Sequence, residues 1–76
     1  MKRIRLLNFA RIADFRGVSE EWIESRADTP KQLHLELGLP FRMTELRVVV
    51  NHEFTSADSL LTDGDIVAFL PPFAGG

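Results

Sequence analysis

The sequence contains no cysteine and no long apolar run. Without cysteine the chain cannot form a disulfide, a thiolate metal site or a cysteine nucleophile, so any sulfur chemistry must use another group. The longest uncharged apolar stretch, residues 66–74, is far shorter than the roughly 20 residues that a membrane-spanning helix needs. No signal-peptide segment follows Met1. We therefore expect a cytoplasmic protein with no membrane partner.

The chain also has little excess charge. Its formal net charge of -2 gives no global attraction to nucleic acid, so we expect no nucleic-acid partner. Four basic residues nevertheless cluster near the amino end: Lys2, Arg3, Arg5 and Arg11. We interpret this cluster as a solvated rim. The alternative is an electrostatic guide for an acidic partner protein or an anionic substrate.

The length of 76 residues allows one domain, and such a domain buries only about 60% of the surface of its unfolded chain. A deep internal active site is therefore not expected. The residues offer no combination of nucleophile, base and oxyanion donors, which makes a free-standing enzyme the weakest candidate. Because His34 and His52 have no cysteine or clustered carboxylates at ligand spacing, we also expect no metal site.

Hydrophobic patterning predicts five strands, at residues 2–9, 18–25, 46–51, 53–55 and 65–70. A short helical turn is expected at residues 10–15. Adjacent residues of a strand point to opposite faces, so only one of Trp22 and Ile23 can enter the main core. We expect it to be Trp22, because large aromatic side chains bury the most apolar surface.

One main helix is predicted between residues 30 and 37. Its start is marked by an N-cap, a first-turn proline and a capping-box glutamine: Thr29, Pro30 and Gln32. Its end is marked by Gly38 and Pro40. The leucines at 33, 35, 37 and 39 alternate with a period of two, which would favour a strand, but Leu33 and Leu37 also lie one helical turn apart. The caps decide for a helix.

The order strand, strand, helix, strand, strand, strand predicts an α+β fold, a mixed sheet with the helix on one face. If the first and last strands are parallel central neighbours, their near-continuous apolar character is explained. In the turn before the last strand, we expect a positive φ at Gly64. For Asp63 and Asp65 a turn role is favoured over acid catalysis.

The sequence ends in Pro71-Pro72-Phe73-Ala74-Gly75-Gly76. We divide the chain into a folded domain, residues 1–70, and a protruding tail, residues 71–76. Six extended residues reach at most about 20 Å, enough to enter a pocket on another protein. The two glycines lack Cβ atoms, so a narrow channel can close around them. The prolines are already restricted and reduce the entropy lost when the tail is ordered.

Four segments carry a resemblance to a known family: Val50-Asn51-His52-Glu53, Leu61-Thr62-Asp63-Gly64-Asp65, Val67-Ala68-Phe69-Leu70, and Pro71-Pro72 with the terminal Gly75-Gly76. In these the chain resembles the ubiquitin-like sulfur carriers, and most closely the small subunits of molybdopterin synthase. The resemblance implies a ubiquitin-like β-grasp fold, with about five strands packed on one main helix.

The resemblance also implies a function for the tail. The Gly76 carboxylate would be adenylated by a separate ATP-dependent activating enzyme and converted to a thiocarboxylate. It would then donate sulfur to cyclic pyranopterin monophosphate inside the large catalytic subunit, in a heterotetramer with two copies of each subunit. The chain would be a non-catalytic subunit without a bound cofactor, and ATP would be used by the activating partner.

Two groups of residues would serve this function. Those expected to thread the partner's channel are Pro71, Pro72, Phe73, Ala74 and Gly75. Those expected to contact the partner's surface are Phe9, Phe54, Phe69, Leu70 and Phe73. Phe69 and Leu70 have an alternative role, because the one of the two that faces the helix is expected to lie in the core.

Two other functions remain open. The chain could carry sulfur for thiazole synthesis in the thiamine pathway, since carriers of that pathway share Asp63-Gly64-Asp65 and the terminal Gly-Gly. It could instead be a protein modifier or interaction module, joined through Gly76 to a lysine of a target.

Overall fold

The computed structural model describes residues 1–72. Its elements, in chain order, are β1 (Lys2–Leu7), α1 (Ala10–Arg16), β2 (Glu20–Ser25), α2 (Pro30–Leu37), a 3-10 turn (Met43–Glu45), β3 (Arg47–Val50), β4 (Glu53–Thr55) and β5 (Ile66–Leu70). The strands form one mixed sheet in the order β2-β1-β5-β3-β4. The predicted sequence of elements is therefore confirmed, with α1 as a second helix.

Strand β5 lies at the centre of the sheet. It pairs in parallel with β1, where Leu6 lies opposite Val67, and in antiparallel with β3, where Val48 lies opposite Phe69. The parallel central pair expected from the two apolar strands is confirmed. Since β5 is flanked on both sides, both edges of its backbone are hydrogen-bonded within the sheet.

Helix α2 begins and ends at the predicted caps. The Thr29 hydroxyl accepts a hydrogen bond from the Gln32 backbone N–H at 3.2 Å, and Gly38 ends the helix with a φ of 63°. The Gln32 side chain accepts from the backbone N–H of Asp28, one residue before the N-cap. These bonds fix the orientation in which Leu33 enters the core.

The core lies between α2 and one face of the sheet. Its most deeply buried apolar side chains, each at most 1% exposed, are Ile4, Leu6, Ile12, Leu33, Val67 and Phe69. They come from β1, α1, α2 and β5, so the two central strands supply most of this contact. At about 25 cal/mol per Å² of apolar surface removed from water, this cluster is the main source of stability.

The turns follow the sequence signals. Gly64 has a φ of 88°, and its backbone N–H donates to the Arg3 carbonyl at 2.7 Å. The Asp63 carboxylate accepts from the Arg3 N–H, also at 2.7 Å. Asn51 and His52, with φ of 53° and 71°, form the tight turn of the β3–β4 hairpin. Both aspartates of the 61–65 segment therefore have turn roles, as predicted.

The predicted burial of Trp22 is wrong. Trp22 lies opposite Arg5 on the face of the sheet away from α2 and is 52% exposed, whereas its neighbour Ile23 lies opposite Ile4 and packs against the core. The Arg3 guanidinium sits over the indole ring, 4.7 Å from its centroid. This cation–π contact covers part of the ring and stabilises Trp22 at the surface.

Strand ends differ from the predictions by one or two residues. The first strand ends at Leu7, and the chain enters α1 at Ala10, which has a φ of 50°. The second strand begins at Glu20. Neither helix in residues 1–72 has the length and hydropathy for a membrane crossing. Predictions about Phe73, Ala74, Gly75 and Gly76 fall outside the described residues, and the division into a domain and a tail stays a prediction.

Candidate functional site

The candidate site lies at the carboxyl end of β5, where the chain continues into the tail. Leu70, the last residue of β5, lies opposite Arg47, the first residue of β3. Pro71 is half-buried and Pro72 is exposed. Because β1 runs parallel to β5, its carboxyl end reaches the same end of the sheet and delivers Phe9 to the start of the tail.

A cavity of about 500 Å³ opens beside this point. We call it the tail groove; its lining residues are Phe9, Ala10, Arg11, Arg47, Phe54, Leu70, Pro71 and Pro72. They come from the turn between β1 and α1, the start of α1, the start of β3, the middle of β4, the end of β5 and the two residues that follow it. The groove is thus formed by the segments that surround the tail where it leaves the sheet.

The groove has an apolar lining with exposed aromatic rings at the surface. Phe9 is 47% exposed and Phe54 is 66% exposed, although both are large apolar side chains. Exposed aromatic residues that share one concave surface are typical of protein interaction sites. The tail groove can therefore bind an apolar group of a partner beside the start of the tail.

Two arginines contribute positive charge to the same groove. The Arg47 guanidinium lies over the Phe54 ring, 4.9 Å from its centroid, and the Arg11 guanidinium lies over Phe41 at 5.5 Å. Both contacts have the geometry of a cation–π interaction. Phe54 lines the tail groove and Phe41 does not, so the contact with Phe54 holds the Arg47 guanidinium at the groove.

The amino-terminal basic cluster does not form one patch. Lys2 pairs with Asp28 at 3.0 Å, and Arg5 forms an ion pair with Glu20 on the adjacent strand. Of the cluster, Arg11 lines the tail groove. The solvated-rim interpretation therefore fits Lys2 and Arg5, which are neutralised locally.

Helix α1, which carries Arg11, is fixed to β2 by an ion pair. The Arg16 guanidinium donates to both carboxylate oxygens of Glu21, at 2.7 and 2.9 Å, and the Asn8 amide donates to the same carboxylate at 2.8 Å. The bond from Arg16 lowers the pKa of Glu21, and the bond from Asn8 adds to this, against the effect of burial. The hydrogen bond to Glu21 raises the pKa of Arg16. The pair stabilises the wall of the groove formed by α1.

The structure brings some of the predicted interface residues together. Phe9, Phe54 and Leu70 line the tail groove, together with Pro71 and Pro72. Phe69 instead lies in the core, 1% exposed, with its ring edge-on to His34 at a centroid distance of 6.1 Å. Phe69 therefore faces the helix, and the core alternative applies to it. Its side chain cannot contact a partner in this fold.

Arg47 was missed by the sequence reasoning. Its only signal in the sequence was its position immediately before the apolar residues of β3. The pairing of β3 with β5 and its register are needed to place Arg47 opposite Leu70. Residues 1–72 contain no group of three or more histidine, aspartate or glutamate side chains that could hold a metal ion. The described part of the groove offers apolar contacts and the two arginine side chains.

Comparison with known proteins gives a family and close relatives. The family described as "ThiS family" matches residues 6–76. The chain is 31% identical, over 80 aligned residues, to the molybdopterin synthase sulfur carrier subunit of Escherichia coli K12; the alignment covers 96% of this chain and 99% of that protein.

Solved structures share the fold. A putative molybdopterin converting factor subunit 1 from Pyrococcus furiosus has a TM-score of 0.75 at 26% identity, covering 96% of this chain and 100% of that chain. A chain of the complex of subunits 1 and 2 of the Helicobacter pylori molybdopterin-converting factor has a TM-score of 0.64 at 24% identity, covering 97% and 99%. Haloferax volcanii small archaeal modifier protein 1 has a TM-score of 0.75 at 20% identity, covering 96% and 100%.

Proposed function

The chain belongs to the ThiS family of ubiquitin-like sulfur carriers, and we propose that it is the sulfur-carrier subunit of a molybdopterin synthase. The observation that carries the proposal is the 31% identity to the Escherichia coli carrier subunit over nearly the whole length of both chains. The position of the tail adds support. It follows directly from the central strand, and an apolar groove for a partner lies beside its first two residues.

In this proposal the reacting group is the carboxylate of Gly76. A carboxylate is a poor acyl donor because oxide is a poor leaving group and the negative charge repels nucleophiles. Adenylation by ATP on a separate activating enzyme releases pyrophosphate and gives an acyl adenylate, whose leaving group is AMP. A sulfur nucleophile then displaces AMP and leaves a thiocarboxylate, so the carrier holds sulfur without a cysteine of its own.

The sulfur is delivered on another protein. Residues 71–76 reach at most about 20 Å when extended, which takes Gly76 well beyond the carrier's surface and into a partner's pocket. We propose that this partner is the large catalytic subunit, with two copies of each subunit in the complex. The thiocarboxylate attacks cyclic pyranopterin monophosphate there, and two rounds supply the two sulfur atoms of the dithiolene. Each attack forms a thioester between the carrier and the pterin, and water cleaves its acyl C–S bond, which leaves the sulfur on the pterin and returns the carrier as a carboxylate.

The described residues contribute binding and direction. Phe9, Phe54 and Leu70 provide apolar surface at the start of the tail, so docking and insertion of the tail occur together. Pro71 and Pro72 have a fixed φ, which lowers the entropy cost of directing the tail into the channel. No bound cofactor is needed in this scheme, since ATP is consumed by the activating enzyme and the pterin is bound by the large subunit.

Intact mass and reconstituted synthase activity test the proposal. The protein is co-expressed with the activating enzyme, and its mass is expected to increase by the difference between one sulfur and one oxygen atom. A variant that lacks Gly76 is expected to show neither the mass change nor dithiolene formation with the large subunit. Full synthase activity of this variant would contradict the proposal.

Two alternatives use the same carboxylate. A carrier for thiazole synthesis would copurify with a thiazole synthase instead of the molybdopterin synthase large subunit. A protein modifier would form gel-shifted conjugates that survive both reductant and hydroxylamine, because an isopeptide bond resists both. The likeness to small archaeal modifier protein 1, at 20% identity, supports the shared fold and leaves conjugation as the alternative.

A further inference from the structure

Two arginines that line the tail groove form no ion pair with a carboxylate of residues 1–72. The ion pairs within that range are Lys2 with Asp28, Arg5 with Glu20, and Arg16 with Glu21. Arg11 and Arg47 take part in none of them, although both line the groove. The positive charge of the groove is therefore available to a binding partner.

Arg11 and Arg47 are both exposed residues, and each guanidinium lies over an aromatic ring. A guanidinium has five N–H donors that can bind a carboxylate in a bidentate geometry. Arg47 lies over Phe54 and Arg11 over Phe41, at 4.9 and 5.5 Å from the ring centroids. The stacking also restricts the side chains before binding, so less entropy is lost when each pairs with a carboxylate.

The two cations lie around apolar surface. Phe9, Leu70 and Pro71 belong to the apolar part of the lining, and Arg11 of α1 and Arg47 of β3 line the same groove. An occupant that matched the apolar part alone would leave both charges partly desolvated and unpaired, which is unfavourable. An occupant with carboxylates beside its apolar group would neutralise them.

We propose that the tail groove binds a partner-protein segment in which carboxylates flank a bulky apolar side chain, and that Arg11 and Arg47 select this segment. The inference rests on the proposed function for the identity of the partner as the large subunit, but the recognition itself needs no sulfur chemistry. Charge complementarity makes an acidic segment the expected occupant. A second copy of this chain and the chain's own residues 73–76 are the competing occupants.

The test uses two short blocked peptides and the full-length, isotope-labelled protein. One peptide has a phenylalanine and a leucine between two glutamates, and the other has glutamines in place of the glutamates. Each is titrated while backbone amide NMR shifts are followed. The acidic peptide is expected to shift amides around the groove and to bind about fivefold more tightly than the glutamine peptide at low salt, as two solvent-edged ion pairs would produce.

Variants identify the cations responsible. The double variant Arg11→Gln, Arg47→Gln is expected to bind the acidic peptide and the glutamine peptide with about equal affinity. Arg26→Gln is the matched control, because Arg26 is exposed and follows the end of β2, at the opposite end of the sheet from the tail. It is expected to keep the preference. Since all three side chains are exposed, the variants are expected to stay folded, which their amide spectra report directly.

Several results would overturn the proposal. Equal affinity of both peptides for the unsubstituted protein would remove the role of charge, and shifts located away from the groove would remove the site. Groove shifts that grow with protein concentration alone would identify a second copy as the occupant. Groove shifts caused by deleting residues 73–76, without peptide, would identify the chain's own end. Full synthase activity after Gly76 deletion would contradict the proposed function but leave each of these binding outcomes unchanged, so the two proposals fail independently.

Discussion

Asn51 and Asp65 are joined side chain to side chain between the β3–β4 hairpin and the start of β5. The side-chain Nδ2 of Asn51 donates to the Asp65 carboxylate at 3.0 Å, and the side-chain Oδ1 of Asn51 accepts from the backbone N–H of Ile66 at 2.9 Å. The same carboxylate accepts from the backbone N–H and the hydroxyl of Thr62, at 2.8 and 3.0 Å. The buried Asp65 thus organises the turn that leads into the strand carrying the tail.

We expect Asp65→Ala to lower the free energy of unfolding by about 2 kcal/mol, because three donors lose a charged acceptor in a partly buried turn. Urea denaturation followed by circular dichroism measures the change. Asp58→Ala is the matched control, since Asp58 lies exposed in the segment between β4 and β5, and we expect a change within about 0.5 kcal/mol. Equal stability of both variants would show that the Asp65 bonds contribute nothing net.

Lowering the pH should reduce the stability of the fold, because the carboxylates of Asp65 and Glu21 become protonated. Burial alone would raise the pKa of Asp65, but hydrogen bonds from Thr62 and Asn51 outweigh it and the pKa is lowered; the bond from Arg16 lowers the pKa of Glu21. A depressed pKa in the folded state adds stability that is present above the unfolded value and is lost as pH falls through the folded value.

The ordinary values are 4.5 for glutamate and 3.8 for aspartate, so the contribution of these two groups to stability should be constant from pH 7 to about 5 and decline below that. Glu21→Gln should reduce the decline, because this variant has no carboxylate to protonate. Urea midpoints measured from pH 7 to 3 provide the comparison. A decline of unchanged size in the variant would exclude Glu21 as a contributor.

Truncation to alanine should lower the stability of the fold much more at Phe69 than at Phe54. Phe69→Ala removes a ring that is 1% exposed in the core and should cost about 3 to 5 kcal/mol of stability. Phe54→Ala removes a ring that is 66% exposed and should leave the unfolding free energy within about 0.5 kcal/mol.

Phe54, whose truncation should hardly change stability, should matter for binding to the large subunit. We expect Phe54→Ala to weaken the complex with the large subunit by about thirtyfold if Phe54 is an interface hot spot. Leu35→Ala, at a leucine of α2 that is 72% exposed, is the control and should leave the affinity unchanged. Isothermal titration calorimetry measures both, and equal affinities would place the interface elsewhere.

Much of the fold follows from local signals. Thr29, Pro30 and Gly38 determine the limits of α2 because caps act within a single turn. Trp22 shows where local signals end. Strand periodicity placed Trp22 and Ile23 on opposite faces, but the choice between the faces depends on how β2 pairs with β1, where Trp22 meets Arg5.

The tail groove depends on such long-range pairing even more. Phe9 and Phe54 were proposed as interface residues individually, whereas their meeting at one cavity requires β1, β5, β3 and β4 to lie side by side. Arg47 entered the site through its register with Leu70. Residue type therefore indicated which side chains could bind a partner, and topology determined which of them line one groove.

At the end of the tail, we expect Gly75→Ala to reduce dithiolene formation sharply without weakening docking at the groove, because a Cβ obstructs a channel fitted to glycine. Ala74→Gly is the matched control, since it removes a methyl group and should preserve transfer. Single-turnover assays with the thiocarboxylated carrier and the large subunit separate transfer from binding. Normal turnover of Gly75→Ala would mean that the channel does not close around this residue.

The central position of β5 has a mechanical consequence. When a partner pulls on the tail, the force is transmitted through Pro71 to β5, which is hydrogen-bonded on one side to β1 and on the other to β3. Force directed along the strand acts in shear on both ladders, so many hydrogen bonds resist it simultaneously, whereas an edge strand could be peeled away bond by bond. The position of β5 therefore opposes unfolding of the sheet by a force applied at Pro71.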